Sequence, residues 1–389
     1  MKYMGHKGKL LSVLGDILIA ESKFSQSIAD PFCGSGAVSW FLAQNTEKSI
    51  VSGDLQSFAV YRAAAVTQRT SPLDPQGIFN PWRKRANKIL SEIVEKFPNS
   101  SRSVEPDPNC TDSIIRLVIR SRIFCETVLP PILTASGKEF PITKAYGGHY
   151  FSPLQALTLD ALRSTLPKER DARTVAMAAL IETASRCAAA PGHTAQPFQP
   201  TNTSAKYILE AWERPVEKLL EEAMSNISEK HAQRIGSAKV LDFSKTIAGL
   251  NEGDLVFADP PYSDVHYSRF YHVLETLTHG KEVVVSGRGR YPEISMRPSS
   301  QFSQKGQSAN AALELITSCH KKQLGLVLTF PSESSSNGLS AQDFISMGKS
   351  LFSSIERHEI SSDFSTLGGN KKTRSARLKC SESIICFRP

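Results

Sequence analysis

The sequence has 389 residues, of which 40% are hydrophobic, and it carries a formal net charge of +8 with an isoelectric point of about 9.0. This length fits one large domain or a core domain with a substantial insertion, and the basic charge is compatible with a polyanionic partner. No apolar run reaches the ~18 residues of a membrane span, and the cysteines form no CxxC pair, so we expect a soluble cytoplasmic protein with reduced thiols.

The first 70 residues have the pattern of a βαβ unit. Apolar residues at helical spacing over residues 8–20 predict a first helix. The stretch "SIADPFCGSGAVSWFLAQN" (27–45) predicts a strand, a glycine turn and a helix, and "KSIVSGD" (48–54) predicts the next strand. This alternation predicts a parallel sheet covered by helices, and therefore an α/β fold.

From about residue 71 the strand signals stop, and proline- and serine-rich loops alternate with helix-like segments. Strand signals return with "KVLDF" (239–243), "DLVFAD" (254–259), "LGLVLTF" (324–330) and "ESIICF" (382–387). We therefore predict an α/β domain formed by residues 1–70 and 236–389, interrupted by a mostly helical insertion over residues 71–235.

The glycine turn has features of a nucleotide-type site. Gly34 and Gly36 follow a predicted strand and open a helix, where a backbone without side chains lets a ligand come close. Asp54 ends the next strand and is suitably placed to accept hydrogen bonds from ribose hydroxyls. The alternative is a tight turn with a capping aspartate. Position 39 is Ser39, so the full GxGxxG pattern is absent, which argues against NAD and FAD.

A second unusual stretch is Asp259-Pro260-Pro261-Tyr262, directly after a buried strand. Two adjacent prolines cannot lie inside a regular element, so the chain must turn here. The Asp259 carboxylate and the Pro260 carbonyl can each accept one hydrogen of an exocyclic amine, and Tyr262 offers a face for stacking. This combination suits a planar amino-heterocycle. The alternative is a turn with a buried tyrosine.

The two motifs together, "DPFCGSG" followed by "DPPY", resemble the S-adenosylmethionine-dependent N6-adenine DNA methyltransferases of the Dam-like D12 class. The stretch "KYMGHKGKLL" (2–11) resembles the N-terminal motif of this class, and "HYSRFYHVLETL" (266–277) resembles the helix after DPPY in its type II modification enzymes. The order of the motifs is that of the α group. The resemblance implies a Rossmann-like methyltransferase fold with a mainly parallel seven-stranded sheet, a bacterial or archaeal source, and an insertion that recognises target DNA.

The resemblance also implies roles for individual residues. Those expected to bind S-adenosylmethionine are Tyr3, Lys7, Asp30, Phe32, Gly34, Gly36, Asp54, Asp242, Phe243 and Asp259. Those expected to hold the target adenine and carry the catalysis are Asp259, Pro260, Pro261 and Tyr262. No metal is expected, because a sulfonium methyl group is already activated. The implied reaction is site-specific methylation of an adenine flipped out of double-stranded DNA.

DNA contacts are expected mainly from basic loops, since lysine and arginine on loops suit phosphate contact. Tyr267 is the one match to the Asn-x-Arg-Gln-Tyr segment that many relatives have after DPPY, and His193 lies in a turn after a helix. The expected contacts are Tyr267, His193, Arg288, Arg290, Lys371, Lys372 and Arg374. The alternative for each basic cluster is a solvated loop.

Other functions remain open from the sequence alone. An RNA adenine methyltransferase would share the DPPY site, although the large insertion and the type II resemblance favour DNA. A DNA-specificity protein without catalysis is disfavoured by the intact Asp259, Tyr262, Gly34 and Asp54. Cytosine-N4 and protein-glutamine enzymes share the geometry of the DPPY site but usually begin the motif with Ser or Asn. Asp259 therefore favours adenine as the substrate. Double-stranded DNA is the expected partner, a cognate restriction endonuclease or defence system is a further candidate, and no membrane partner is expected.

Overall fold

The computed structural model describes residues 10–97, 106–365 and 377–389. The described chain forms two compact units. Of the described residues, the sheet unit contains 10–72, Lys230–Ser268 and Pro298–Pro389, and the helical unit contains Leu73–Glu229 and Arg269–Arg297. The helical unit therefore includes a segment after DPPY that the boundaries drawn from the sequence leave outside the insertion. The functions of the two units stay predictions.

The sheet unit begins with the alternation of helix and strand that the sequence indicates. Its first elements are α1 (Leu11–Glu21), β1 (Ser27–Asp30), α2 (Ala37–Asn45), β2 (Ser49–Asp54) and α3 (Ser57–Thr67). Strand β1 is buried at three of its four residues, as expected for a strand with both faces covered.

The helical unit follows. Its helices are α4 (Pro75–Val94), α5 (Thr111–Ile123), α6 (Leu129–Ala135), α7 (Pro141–Tyr146), α8 (Pro153–Ser164), α9 (Arg170–Cys187), α10 (Ala205–Trp212) and α11 (Val216–Glu229). The side chain of Asp74 caps α4, which has proline in its first turn, and Ser152 and Gln155 form a capping box on α8. These local signals fix the helix starts.

The remaining elements alternate between the two units. They are β3 (Ser237–Val240), α12 (Phe243–Ala248), β4 (Leu255–Ala258), α13 (Ser268–His279), β5 (Val285–Ser286), β6 (Tyr291–Pro292), α14 (Ser308–Lys321), β7 (Gly325–Pro331), α15 (Ala341–Gly348), β8 (Ser354–Ser365) and β9 (Arg377–Arg388). The "KVLDF" strand of the sequence prediction ends earlier, at Val240, because the side chain of Asp242 caps α12.

The described residues form a seven-stranded sheet in the order β3-β2-β1-β4-β7-β9-β8. The first five strands in this order, β3, β2, β1, β4 and β7, are parallel, and β9 is antiparallel to both of its neighbours. All four residues of β4 are buried. The predicted α/β fold with a mainly parallel seven-stranded sheet and a mostly helical inserted region is confirmed. Within the described ranges, no helix is both long enough and apolar enough to cross a lipid bilayer.

A buried carboxylate links two helices of the helical unit. Asp160 on α8 is 2% exposed. It accepts hydrogen bonds from the backbone N–H groups of Ile142 and Thr143, at 3.1 and 2.8 Å, and from the Thr143 hydroxyl at 2.7 Å. Since these donors lie in the first turn of α7, Asp160 caps α7 from a neighbouring helix.

We predict that Asp160→Ala lowers the free energy of unfolding by about 3 kcal/mol, because it leaves buried donors without an acceptor. Denaturant unfolding, with hydrogen exchange at Ile142 and Thr143, measures the loss. The matched control is Glu169→Ala, which removes the exposed cap of α9 from the N–H groups of Asp171 and Ala172 and should cost about 1 kcal/mol. Equal losses in the two variants would contradict the assigned role of burial.

Candidate active site

Three aspartates lie at the carboxyl ends of three neighbouring strands in the sheet unit. Asp54 ends β2, Asp30 ends β1, and Asp259 directly follows β4. From β1 the chain continues to β2 and β3 on one side of the sheet, whereas β7 lies on the other side, next to β4. The strand order therefore reverses between β1 and β4, which is where open α/β sheets bind their ligands.

The glycine turn after β1 depends on its two glycines. Gly34 and Gly36 have φ angles of +46° and +77°, which side chains rarely adopt. A Cβ atom at Gly36 would lie 3.2 Å from the backbone nitrogen of Ala63. The Asp54 carboxylate accepts the N–H of Gly34 at 3.0 Å and that of Gln56 at 2.9 Å. Asp54 thus fixes the turn, in agreement with the capping interpretation, and the ribose contact stays a prediction.

Asp30 is a buried carboxyl group with one unsatisfied oxygen. Its side chain is 1% exposed; Oδ2 accepts the Ser39 hydroxyl at 2.6 Å, and Oδ1 has no hydrogen-bond partner. Burial raises the pKa of Asp30 to about 7, and the negative charges of Asp259 and Asp54 add to this rise. The hydrogen bond from Ser39 and, to a smaller extent, the nearby backbone N–H of Phe32 oppose it. The negative charges of Asp54 and Asp259 therefore lie close enough to Asp30 to disfavour its ionised form.

An aromatic cluster lies beside the glycine turn. The rings of Phe32 and Phe243 are stacked, with centroids 5.7 Å apart, and both contact Phe302 edge-on at 5.5 Å. Asp242 accepts the N–H and the hydroxyl of Ser244 as the cap of α12. The structure therefore brings Phe32 and Phe243 together, and their contact with a cofactor stays a prediction.

The DPPY segment is bound to two polar side chains that the sequence analysis did not single out. Thr329 on β7 donates its hydroxyl to Asp259 Oδ1 at 2.8 Å. Asn337 donates its side-chain amide to the carbonyl of Pro261 at 3.1 Å. The position of Thr329 near the end of a predicted strand was a usable signal, because β7 is the parallel neighbour of β4. No local signal identified Asn337.

Tyr267 lies close to the same carboxylates. Burial raises the pKa of its phenol well above the ordinary value, and the charges of Tyr262, Asp259 and Asp54 contribute to the rise. The structure therefore gathers Tyr267 with the candidate cofactor and catalytic residues of the sheet unit. Its expected contact with DNA stays a prediction.

The other expected DNA contacts that the structure describes belong to the helical unit. His193 packs edge-on against Phe270, with ring centroids 4.8 Å apart. Arg288 is exposed in the turn of the β5–β6 hairpin. Arg290 has a φ of +51° and directs its guanidinium inward, where it donates to the Ala145 carbonyl. Tyr3, Lys7, Lys371, Lys372 and Arg374 lie outside the described residues.

Arg290 makes further contacts within the helical unit. Its Nη1 atom donates to His149 Nε2 at 3.1 Å and lies 3.4 Å from Glu126 Oε1.

In the part of the chain that the structure describes, no group of three or more His, Cys, Asp or Glu side chains is arranged to hold a metal ion.

Comparison with known proteins relates part of the chain to a known family. Residues 149–329, just under half of the sequence, match the family model described as D12 class N6 adenine-specific DNA methyltransferase. The match includes the DPPY segment and ends at Thr329, while the glycine turn lies outside it. No curated protein matches the chain significantly. This match supports the assignment of the chain as a D12-class N6-adenine DNA methyltransferase.

Proposed function

We propose that the enzyme transfers the methyl group of S-adenosylmethionine to N6 of an adenine flipped out of double-stranded DNA at a specific sequence. The observation that carries this proposal is that the glycine turn and the DPPY segment meet at the carboxyl ends of two adjacent parallel strands. A cofactor at the first and a base at the second would lie side by side, as transfer between them requires.

The residues present fit a cationic nucleoside cofactor. Asp30 has a buried oxygen without a partner, and Asp54 and Asp259 add negative charge nearby. A ligand that carries a sulfonium and an ammonium group would relieve this repulsion. Phe32 and Phe243 would contact its adenine ring, and Asp54 its ribose. When bound, S-adenosylmethionine supplies a methyl group on a positively charged sulfur, a carbon ready for nucleophilic attack.

The DPPY segment would orient the target amine. The lone pair of an adenine N6 is delocalised into the ring, so the enzyme must direct it. The Asp259 carboxylate and the Pro260 carbonyl each accept one amine hydrogen, and Tyr262 stacks on the base. Asp259 need not be a strong base, because the proton leaves readily once nitrogen is methylated. Stacking offsets part of the few kcal/mol that base flipping costs.

The helical unit would supply target recognition. Its exposed Arg288 suits phosphate contact, which positions DNA without reading its sequence. Side chains elsewhere in the helical unit would then read the bases. A cognate restriction endonuclease or another defence system remains a candidate partner.

We predict that Asp259→Ala lowers the single-turnover rate of methyl transfer by roughly 10²–10³-fold, because one of two acceptors for the amine is lost. The assay follows labelled methyl groups from S-adenosylmethionine into unmethylated genomic DNA. Asp264→Ala removes an exposed carboxylate five residues away and serves as the control, with a rate near that of the wild type. Near wild-type transfer by Asp259→Ala would refute the role of Asp259.

We predict that the affinity for S-adenosylmethionine rises about tenfold between about pH 6 and its plateau above about pH 8. The cation needs ionised Asp30, whose pKa is raised to about 7 by burial. The raised pKa also affects stability. Because the folded protein holds the Asp30 proton more tightly than the unfolded chain does, the free energy of unfolding falls as the pH rises from about 4 to about 7.

Calorimetry across this pH range, with wild type and Asp30→Asn, provides the measurement. The amino group of the cofactor titrates equally with both proteins, so the difference between the two profiles belongs to Asp30. Asp30→Asn should bind more weakly at pH 8 and lose the tenfold rise. Parallel profiles would remove Asp30 from the cofactor site.

We predict different losses for two neighbouring arginines. Arg288→Ala should weaken binding to all DNA sequences alike and lower the salt slope of log K by roughly 0.9, the effect of one phosphate contact. Arg290→Ala should instead destabilise the helical unit, because it removes the contacts to Ala145, His149 and Glu126. Binding across a salt series and thermal melting distinguish the two. A change of salt slope in Arg290→Ala at unchanged stability would contradict this division.

A further inference from the structure

The loop Ser335–Leu339 forms a closed turn in the sheet unit. The N–H of Ser335 donates to the carbonyl of Leu339 at 2.8 Å, and the N–H of Gly338 donates to the carbonyl of Ser335 at 2.9 Å. Gly338 has a φ of +90°, a conformation that favours glycine. The sequence "SESSSNGLS" reads as an ordinary polar loop, but the backbone here has a defined shape.

Asn337 of this loop is fully buried, with an exposed fraction of 0%. Its Nδ2 atom donates to the carbonyls of Pro261 and Phe302 at 3.1 and 3.0 Å. Its Oδ1 atom accepts the Ser335 hydroxyl at 2.7 Å and the Leu339 N–H at 3.1 Å. Both donors and both lone pairs of the amide are therefore used, so its orientation is fixed.

The bond from Asn337 restricts the backbone of the DPPY segment. The ring of Pro261 already fixes its φ angle. Once the Pro261 carbonyl is bonded to a buried amide, the ψ angle is restricted as well. Pro261 lies between the carbonyl of Pro260 and Tyr262, so these two angles set the direction of the backbone at Tyr262 relative to that carbonyl. The same loop also accepts the N–H of Asp264, through the Ser336 hydroxyl at 3.2 Å.

Thr329 restricts the other amine acceptor. Leu328 on β7 is paired with Ala258 on β4, so the next residues, Thr329 and Asp259, lie beside each other. The Thr329 side chain is 0% exposed and its hydroxyl donates to Asp259 Oδ1 at 2.8 Å. A β-branched side chain on a buried strand has few rotamers, which makes it a stiff donor.

We propose that Thr329 and Asn337 are positioning residues for methyl transfer, which hold the Asp259 carboxylate and the di-proline backbone in the geometry that binds the amine. This inference rests on the proposed function of the DPPY segment. Asn337 lies outside the residues that match the family model, and Thr329 is the last residue inside them. The competing account is that both side chains only stabilise the fold. A substitution would then lower the melting temperature without a specific loss of the rate of methyl transfer.

The experiment compares three variants of the full chain. Thr329→Val removes the hydroxyl, Thr329→Ser retains it, and Thr67→Val removes another fully buried hydroxyl of the sheet unit, one that donates to the Ala63 carbonyl inside α3. The measurements are the single-turnover rate at saturating S-adenosylmethionine on unmethylated genomic DNA, the cofactor Kd and the melting temperature.

We expect Thr329→Val to lower the single-turnover rate about 10–100-fold, as misplacement of a reacting group does. Its cofactor Kd should stay within about twofold, because the glycine turn and Asp54 are untouched. Thr329→Ser should recover most of the rate. Thr67→Val should lose stability like Thr329→Val and keep the wild-type rate.

Asn337→Ala is a second test. We expect it to lower the single-turnover rate by a larger factor than it weakens cofactor binding. Limited proteolysis of this variant tests whether the sheet unit remains folded, and the Thr329 series decides the question if it does not. An unchanged rate in Thr329→Val, or an equal loss of rate in Thr67→Val, overturns this inference but leaves the proposed function in place. Absence of methyl transfer by the wild type overturns the proposed function and this inference with it.

Discussion

The parallel pairing of β1 with β4 determines where the two segments of the candidate site lie. Because both strands run in the same direction, their carboxyl ends open at one edge of the sheet, and the reversal of strand order leaves that edge uncovered by a connection. The glycine turn and the DPPY segment are the first residues after these strands. Their closeness is a property of the sheet, and it needs no contact with the helical unit.

The same arrangement concentrates negative charge. Asp30 is buried with one oxygen that has no hydrogen-bond partner, and the nearby charges of Asp54 and Asp259 further disfavour its ionised form. Functional sites often keep such unfavourable groups, because a ligand of opposite charge relieves them on binding. A cationic methyl donor fits this pattern better than a neutral or anionic nucleotide.

The fold class and the two motifs were predictable from the sequence because they depend on short-range patterns. Gly34 and Gly36 are required by the φ angles of one turn, and the residues of DPPY are consecutive. Thr329 and Asn337 act on this segment from 70 and 76 residues further along the chain. The end of a predicted strand indicates the place of Thr329, whereas no local pattern encodes the contact of Asn337. The place of segment 269–297 in the helical unit was not predictable either, because its contacts are with residues remote in sequence.

Charge patterns also have a limit as predictors. Arg288 and Arg290 are equivalent in the sequence as basic residues of one glycine-containing loop. The structure distinguishes them, because Arg288 is exposed and Arg290 directs its guanidinium to a helix carbonyl. Only the path of the backbone, including the positive φ of Arg290, decides which side chain turns inward.

The division of the chain has a consequence for how the protein folds. Among the described residues the chain passes between the two units four times, after Pro72, Glu229, Ser268 and Arg297. The central pairing of β1 with β4 joins Ile28 to Leu255, so the intervening loop contains most of the helical unit. Loop-closure entropy rises only logarithmically with length, so this insertion costs little stability. Folding rates fall as contacts become less local, and the sheet edge with the candidate site should therefore assemble late.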